Sequence, residues 1–419
     1  MGLSNELKEV CMNYYLLTLA IMILVFLYQL GLRYLEWRSH KNPVPDSVKD
    51  VYDGETYQKW RAYHKEKCRL GLGKSVVGFA AEFCLMALCA YAAFAGLFPE
   101  GIWAQMFAVL LLSALSDVVT LPFAYYDTMV IEEKYGFNRS SKKTFWLDRV
   151  KEFVIGLALM VAIGSILLWL HQWLGDGMII AFAAALTALI LGISFLYPFF
   201  SRIFNKFTPL EDGELKDKLT ALLEKNGYRV RAIQVMDASR RSTKSNAYFT
   251  GFGKMKTIVL FDTLVSAMTP DEICAVFAHE MGHGLHKDTL KNQILSGVQM
   301  LAIAFLAWLT VRTPEIFTAF RFSDVNYGFA LMLIMSVEMA LFTPLFSLFA
   351  NWHSRRAEYR ADEQAVREGY GGALASALKK LSRENFADLA PDPLLVKLEY
   401  SHPTLSQRLE AIDRKQRGV

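Results

Sequence analysis

The chain has 419 residues, enough for two or three soluble domains, yet 53% of it is hydrophobic, only 21% is charged, and aromatic residues make up 13%. Several stretches of roughly 20 residues carry almost no charge, the length that crosses a bilayer core, so an ordinary soluble protein is excluded and a polytopic membrane protein follows. The net charge of +4 comes without any dense Lys/Arg run, which argues against a nucleic-acid partner.

In chain order, the first apolar span is predicted over Asn13–Leu32. Its leader places Lys8 between Glu6 and Glu9 rather than a positive n-region, and no small-residue cleavage site follows, so it reads as a retained anchor. Further spans are expected at Ser75–Phe98, Ile102–Tyr126, Phe153–Leu170, Met178–Phe200, Gln293–Val311 and Tyr327–Ala350, seven in all. The loop after the first span holds ten Lys or Arg between Arg33 and Lys74, and the loop after the third holds six between Lys134 and Lys151. The short turns at Pro99–Gly101 and His171–Gly177 have none. The positive-inside rule then puts the N-terminus outside and the C-terminus in the cytoplasm. Segments 201–291 and 351–419 both become cytoplasmic, and the Asn138-Arg139-Ser140 sequon is left in the cytosol, unused.

Residues 201–291 read as a small α/β segment. Glu211–Asn226 has helical spacing of Leu and charge, with Gly227 as its stop. Val230–Met236 reads as a strand, and Ser245–Phe249 with Thr257–Phe261 brackets a Gly251-Phe252-Gly253 turn, a hairpin pattern. An edge strand there can hold an extended peptide by main-chain pairing.

Thr269, Pro270 and Glu272 form a helix start with a capping box. Ten residues after the cap comes His279-Glu280-Met281-Gly282-His283. Positions four apart share a helix face, so both imidazoles can reach one Zn²⁺ while Glu280 is free to handle a proton. With no proline between Asp271 and Val311, this helix is expected to run straight into the sixth span. A metzincin pattern fails, because His286 and Thr289 stand where Gly and His are required. A glutamate on a later helix is the other solution, and Asn351–Asp362 supplies Glu358 with Asp362 four residues on, one acid for the metal and one to hold a ligand histidine. Glu363 competes but lacks that partner. The metal is expected about 10–15 Å beyond the apolar region. Arg355 could orient Glu358, and Asp288 could support a ligand histidine. Five cysteines show no paired or metal-ligand spacing. Glu82, Asp117 and Glu338 sit inside apolar spans, where ionisable groups usually face a cavity or a partner, and they suggest a wet interior.

With these pieces assembled, the sequence resembles the type 1 CAAX prenyl proteases. The matching stretches are EEKYGFN at 132–138, SNAYFTGFG at 245–253, IVLFDTL at 258–264, HEMGH at 279–283, NWHSRRAEYRAD at 351–362 and SHPTLSQRL at 401–409. The resemblance implies a mainly α, polytopic fold of seven transmembrane helices around a water-filled chamber, with a gluzincin-like zinc protease domain at the cytoplasmic end. Its division would be 1–200 (spans one to five), 201–291 (α/β segment and HExxH helix), 292–350 (spans six and seven) and 351–419 (the helical segment with the third ligand). It implies one Zn²⁺ on His279, His283 and Glu358, and Glu280 as general base. It also implies Asn246 and Ala247 on a substrate-pairing strand, and His402 at the oxyanion; Arg408 is a second candidate for that anion. The substrate would be a lipidated peptide from the bilayer, cut after its prenylated cysteine. The membrane would be the endoplasmic reticulum in a eukaryote and the cytoplasmic membrane in a bacterium. A broad-specificity quality-control metalloprotease is the nearest alternative; a transporter with a closed structural zinc site is a more distant one.

Overall fold

A computed structural model describes residues 4–175, 200–240, 246–250 and 255–418, with isolated positions between 181 and 192. Helix α1 (Asn5–Ser39) is 35 residues long and begins where the Ser4 hydroxyl accepts the Leu7 N–H at 3.2 Å. At 1.5 Å per residue it is about 50 Å long, longer than the bilayer core. Helix α2 (Gly54–Ala87) starts at Asp53, whose carboxylate accepts the Thr56 N–H at 2.7 Å. It therefore begins well before the expected second span and ends inside it. Cys89, at φ 53°, breaks the chain before a short helix at Ala90–Ala95.

Helix α3 (Ile102–Tyr126) matches its expected bounds, and α4 (Lys142–Leu174) contains the Phe153–Leu170 span. Most of the Met178–Phe200 span lies outside the described residues. Five helices among the described residues are long and apolar enough to cross a membrane: Asn5–Ser39, Gly54–Ala87, Trp103–Tyr135, Asp288–Val311 and Tyr327–Arg367. Large apolar side chains on them face outward, Leu24 at 59% and Phe305 at 55% exposure among them, as expected where lipid replaces water as solvent.

Residues 207–261 hold β1 (Phe207–Pro209), α5 (Glu214–Lys225), β2 (Arg229–Met236), β3 (Ala247–Thr250) and β4 (Met255–Phe261). The sheet order is β1-β2-β4-β3, with β2 and β4 parallel and the outer pairs antiparallel. Strand β3 is thus an edge, and the expected hairpin is present as the β3–β4 pair, its turn lying outside the described residues. Gly227, at φ 77°, ends α5. Leu219, Leu223, Ile258 and Leu260 bury the inner face of this layer against α6 (Pro270–Leu285).

Two expectations about the helices meet different outcomes. Helix α6 does not continue into α7 (Asp288–Val311). His286 closes it, and Lys287 turns left-handed at φ 55°. The last apolar helix does continue past its expected end at Ala350: α8 (Tyr327–Leu333) passes through a π-turn at Ile334–Glu338 into α9 (Met339–Arg367). Helices α10 (Gly371–Glu384), α11 (Pro393–Glu399) and α12 (Leu405–Gln416) then pack around α6 and α9. The connection from α1 and the start of α2 are tied to this layer. Trp60 Nε1 donates to the Phe386 carbonyl at 3.1 Å, and the Tyr52 hydroxyl donates to Ala387 at 2.9 Å. Asn138, of the sequon, is buried, with its Nδ2 donating to Glu133 at 2.9 Å.

Candidate active site

Helix α6 is set by its N-terminus. The Thr269 hydroxyl accepts the Glu272 N–H, and the Glu272 carboxylate accepts the Thr269 N–H at 2.8 Å. Glu272 also takes Lys380 Nζ at 2.7 Å and the Ser376 hydroxyl at 2.6 Å from α10. The other end of the helix is fixed by contact. A Cβ added to Gly282 would meet the Ala361 Cα at 2.7 Å. Glycine at this position therefore lets the backbones of α6 and α9 approach, which brings the two imidazoles to Glu358.

The structure brings together His279, His283 and Glu358, whose ligand-capable atoms lie within 4.8 Å of one another. His279 Nε2 is 3.5 Å from Glu358 Oε2, and His283 Nε2 is 3.3 Å from Glu358 Oε1. The opposite ring nitrogens are held by acids: His279 Nδ1 meets Asp362 at 2.8 Å and His283 Nδ1 meets Asp288 at 3.2 Å. Each acid is held in turn by an arginine. Arg408 donates to Asp362 at 2.6 and 2.9 Å, and Arg360 donates to Asp288 at 2.9 Å. This layering turns both Nε2 lone pairs toward one point. Glu363, the competing acid, instead accepts from Arg367 at 2.8 Å.

The donor set fits a divalent metal. Glu358 Oε2 is buried without a hydrogen bond, and two imidazole nitrogens with one carboxylate suit zinc. Burial pushes the His283 imidazole down, but Glu358, Asp288 and Glu280 outweigh it and bring it up to about 9. A cation competes with that proton for the same negative pocket. Glu280, half-buried between the two ligand histidines on α6, also raises the proton affinity of Arg408.

His402 places Nε2 3.3 Å from Glu358 Oε1 and is 61% exposed, so it has room to meet a ligand. Ser401 Oγ steadies its other nitrogen at 2.8 Å. Asn246 and Ala247 open the edge strand β3. The Asn246 side chain accepts the Ala247 N–H at 2.8 Å, and its carbonyl accepts the Phe261 N–H at 3.1 Å.

One expected role is corrected by geometry. Arg355 does not orient Glu358: its guanidinium donates to the Val396 and Tyr400 carbonyls at 3.2 and 2.6 Å, closing the end of α11. Arg408 is only 11% exposed; its Nε and Nη2 are bonded to Asp362 and its Nη1 is set 3.3 Å from Glu358, so it anchors the acids of the site. Sequence reasoning missed Arg360 and Gly282. For Arg360 a signal existed, because it lies between Glu358 and Asp362. Within the spans, Glu82 accepts the Tyr91 hydroxyl at 2.8 Å and Glu338 accepts from Thr310; the Asp117 side chain lies outside the described residues.

A membrane metallopeptidase is the class that this fold and site define. Residues 33–206 match the CAAX prenyl protease N-terminal family with its five membrane helices, and residues 209–416 match peptidase family M48. The chain is 32% identical to CAAX prenyl protease 1 of Saccharomyces cerevisiae over 430 residues, covering 91% of each. It is 34% identical to the CAAX prenyl protease 1 homolog of Arabidopsis thaliana over 416 residues, covering 94% of this chain and 96% of that one. The crystal structure of S. mikatae Ste24p superposes with a TM-score of 0.90 at 29% identity, covering 96% and 99% of the two chains. The protein belongs to the CAAX prenyl protease family, a family of multi-pass membrane metallopeptidases.

Proposed function

We propose that this protein is a zinc-dependent endopeptidase that removes the C-terminal three residues following a prenylated cysteine. The observation that carries the reading is the convergence of His279, His283 and Glu358, with Glu280 between the two histidines on α6. Residues 201–291 and 351–419 would make up the cytoplasmic catalytic part, with the N-terminus on the opposite side of the membrane. The membrane is that of the endoplasmic reticulum in a eukaryotic cell and the cytoplasmic membrane in a bacterial one.

Zinc, held by His279, His283 and Glu358, would supply Lewis acidity, polarising a carbonyl and making water acidic near neutral pH. Glu280 accepts a proton from the attacking water and returns it to the leaving amine, so water is divided across the amide bond with no acyl-enzyme. Asp362 and Asp288 keep each imidazole proton on Nδ1 and each lone pair on Nε2. His402 Nε2, exposed beside Glu358, donates to the oxygen that gains charge. The free side of β3 extends the substrate by main-chain pairing, with Asn246 and Ala247 at its start. Helix α9 runs unbroken from Ala350 to Glu358, a rise of about 12 Å, so a lipidated cysteine can stay near the bilayer while its peptide reaches the site.

The test is a prenylated CAAX peptide assayed beside its unprenylated twin on purified, zinc-replete protein. Preference for the prenylated peptide supports the reading, and equal turnover points instead to a broad-specificity quality-control protease. The Glu280→Gln variant should keep its zinc and lose cleavage; retained cleavage would overturn the mechanism.

A further inference from the structure

A second set of metal-capable side chains lies where α1 meets α2, away from the site above. Glu36, near the end of α1, and His64 and Cys68, one turn apart on α2, bring a carboxylate oxygen, a ring nitrogen and a sulfur within 4.8 Å of one another. No spacing along one segment reveals this group, because its donors are divided between two helices 28 residues apart or more in the chain.

The donors are held in place. His64 stacks on Trp60 with ring centroids 5.2 Å apart, and its Nε2 lies 3.3 Å from the Glu36 carbonyl oxygen. Trp60 is itself pinned by its bond to Phe386. Glu36 Oε2 takes Arg33 at 3.0 Å, which leaves Oε1 unused by that pair. Just beyond, Ser39 donates to Asp388 at 2.7 Å and Asn42 to the Ala390 carbonyl at 2.9 Å, docking the end of α1. Cys68 is buried. His40, one turn beyond Glu36, has its Nδ1 buried with no hydrogen-bond partner, and it lies outside this donor group.

We propose that Glu36, His64 and Cys68 hold a divalent cation of the zinc type, a structural staple joining the cytoplasmic ends of α1 and α2. The ligand chemistry selects the ion: thiolate and imidazole suit zinc and disfavour magnesium and calcium, which want oxygen. Charge agrees. As the sulfur–metal bond forms, the Cys68 thiol proton leaves to solvent, and one thiolate, one carboxylate and one neutral imidazole balance a 2+ ion. A neutral site is the least costly kind at the edge of an apolar region.

Cobalt substitution of the purified full-length protein separates this site from the first one, because the donors His279, His283 and Glu358 include no sulfur. Wild-type protein should bind two Co²⁺ per chain and show a near-ultraviolet thiolate-to-cobalt charge-transfer band. Cys68→Ser and His64→Ala should each lose the band and one equivalent, while a His279→Ala/His283→Ala variant should keep the band and lose the other equivalent. A single equivalent with no band in wild-type protein would overturn the proposal, as would a band that survives Cys68→Ser. Should Cys68→Ser fail to fold, Glu36→Gln provides the same comparison: a weakened band supports the site and an unchanged one opposes it.

Discussion

Helices α6 and α9 supply the same cluster by opposite means. Helix α9 carries Glu358 and Asp362 on a rod that leaves the membrane unbroken. Helix α6 carries His279 and His283 and is cut off from its membrane helix at Lys287. The cut has a use. On a continuous helix Asp288, five residues after His283, would point about 140° away from it. The left-handed turn instead brings its carboxylate back to His283 Nδ1. Rigid placement suffices where the orienting acid is at i+4, and a break is needed where the acid belongs to the next helix.

The largest effect should come from forcing the two helices apart. Gly282→Leu puts side-chain atoms where the Ala361 backbone lies. Overpacking of this kind costs about 1–3 kcal/mol, and here the obstacle is backbone, which cannot swing aside. Metal content, read by elemental analysis, should fall together with the melting temperature. A variant that keeps full zinc would show that the α6–α9 contact does not set the ligand geometry.

Next come the two orienting acids. Asp362→Asn and Asp288→Asn should each lower metal affinity about 10–100-fold, the usual consequence of losing a ligand histidine's partner. The two acids are equally buried, but Asp362 is held by two bonds from Arg408 and lies 2.8 Å from its histidine, whereas Asp288 takes one bond from Arg360, lies 3.2 Å from its histidine and depends on the break. The Asp362 variant should therefore lose more. Competition with a chromophoric chelator measures both, and equal losses would make the two means of support equivalent.

Which parts of this were legible beforehand follows from how each signal is encoded. The cap at Thr269, the two histidines and the acid pair at Glu358 and Asp362 are each local patterns with a fixed period, so one helix's geometry reveals them. Strand β2 and the β3–β4 hairpin were legible for the same reason. The break at Lys287 was not, because a left-handed lysine has no glycine or proline to announce it and is imposed by tertiary contact. Arg355 was misassigned, and the Arg408–Asp362 pairing was not seen, because the partners sit 41 to 46 residues away, and a lone sequence does not pair them. The group at Glu36, His64 and Cys68 was hidden by the same division between helices.

A smaller effect is expected at the start of α6 as pH changes. Burial pushes the Glu272 carboxyl up, but Lys380, Ser376 and the Thr269 N–H outweigh it and hold it below its ordinary 4.5. The ionised form is thus favoured by folding. Its contribution is complete above the unfolded value and is lost as pH falls through the lower folded one. Glu272→Gln keeps the capping pattern and removes only the charge, so it should cost about 1 kcal/mol near neutral pH. Thermal melts at descending pH should show wild type and variant converging below about pH 4, and a gap that widens on acidification would contradict the sign.

The smallest effect tests the break itself. A left-handed residue with a Cβ costs about 1–2 kcal/mol, which Lys287→Gly would relieve. The added freedom of glycine in the unfolded chain takes back about 0.5–1 kcal/mol, leaving a net gain of about 0.5 kcal/mol. Zinc affinity should not change, because Asp288 still turns back to His283. Lys287→Val should do the opposite on both counts: a β-branched residue resists φ 55°, so the α6–α7 junction relaxes toward a straight helix and Asp288 swings away. Measuring melting temperature and zinc affinity for the pair separates the two roles of the turn. If valine lowers stability without weakening zinc, Asp288 reaches His283 by some route other than the break, and the contrast between α6 and α9 is only one of shape.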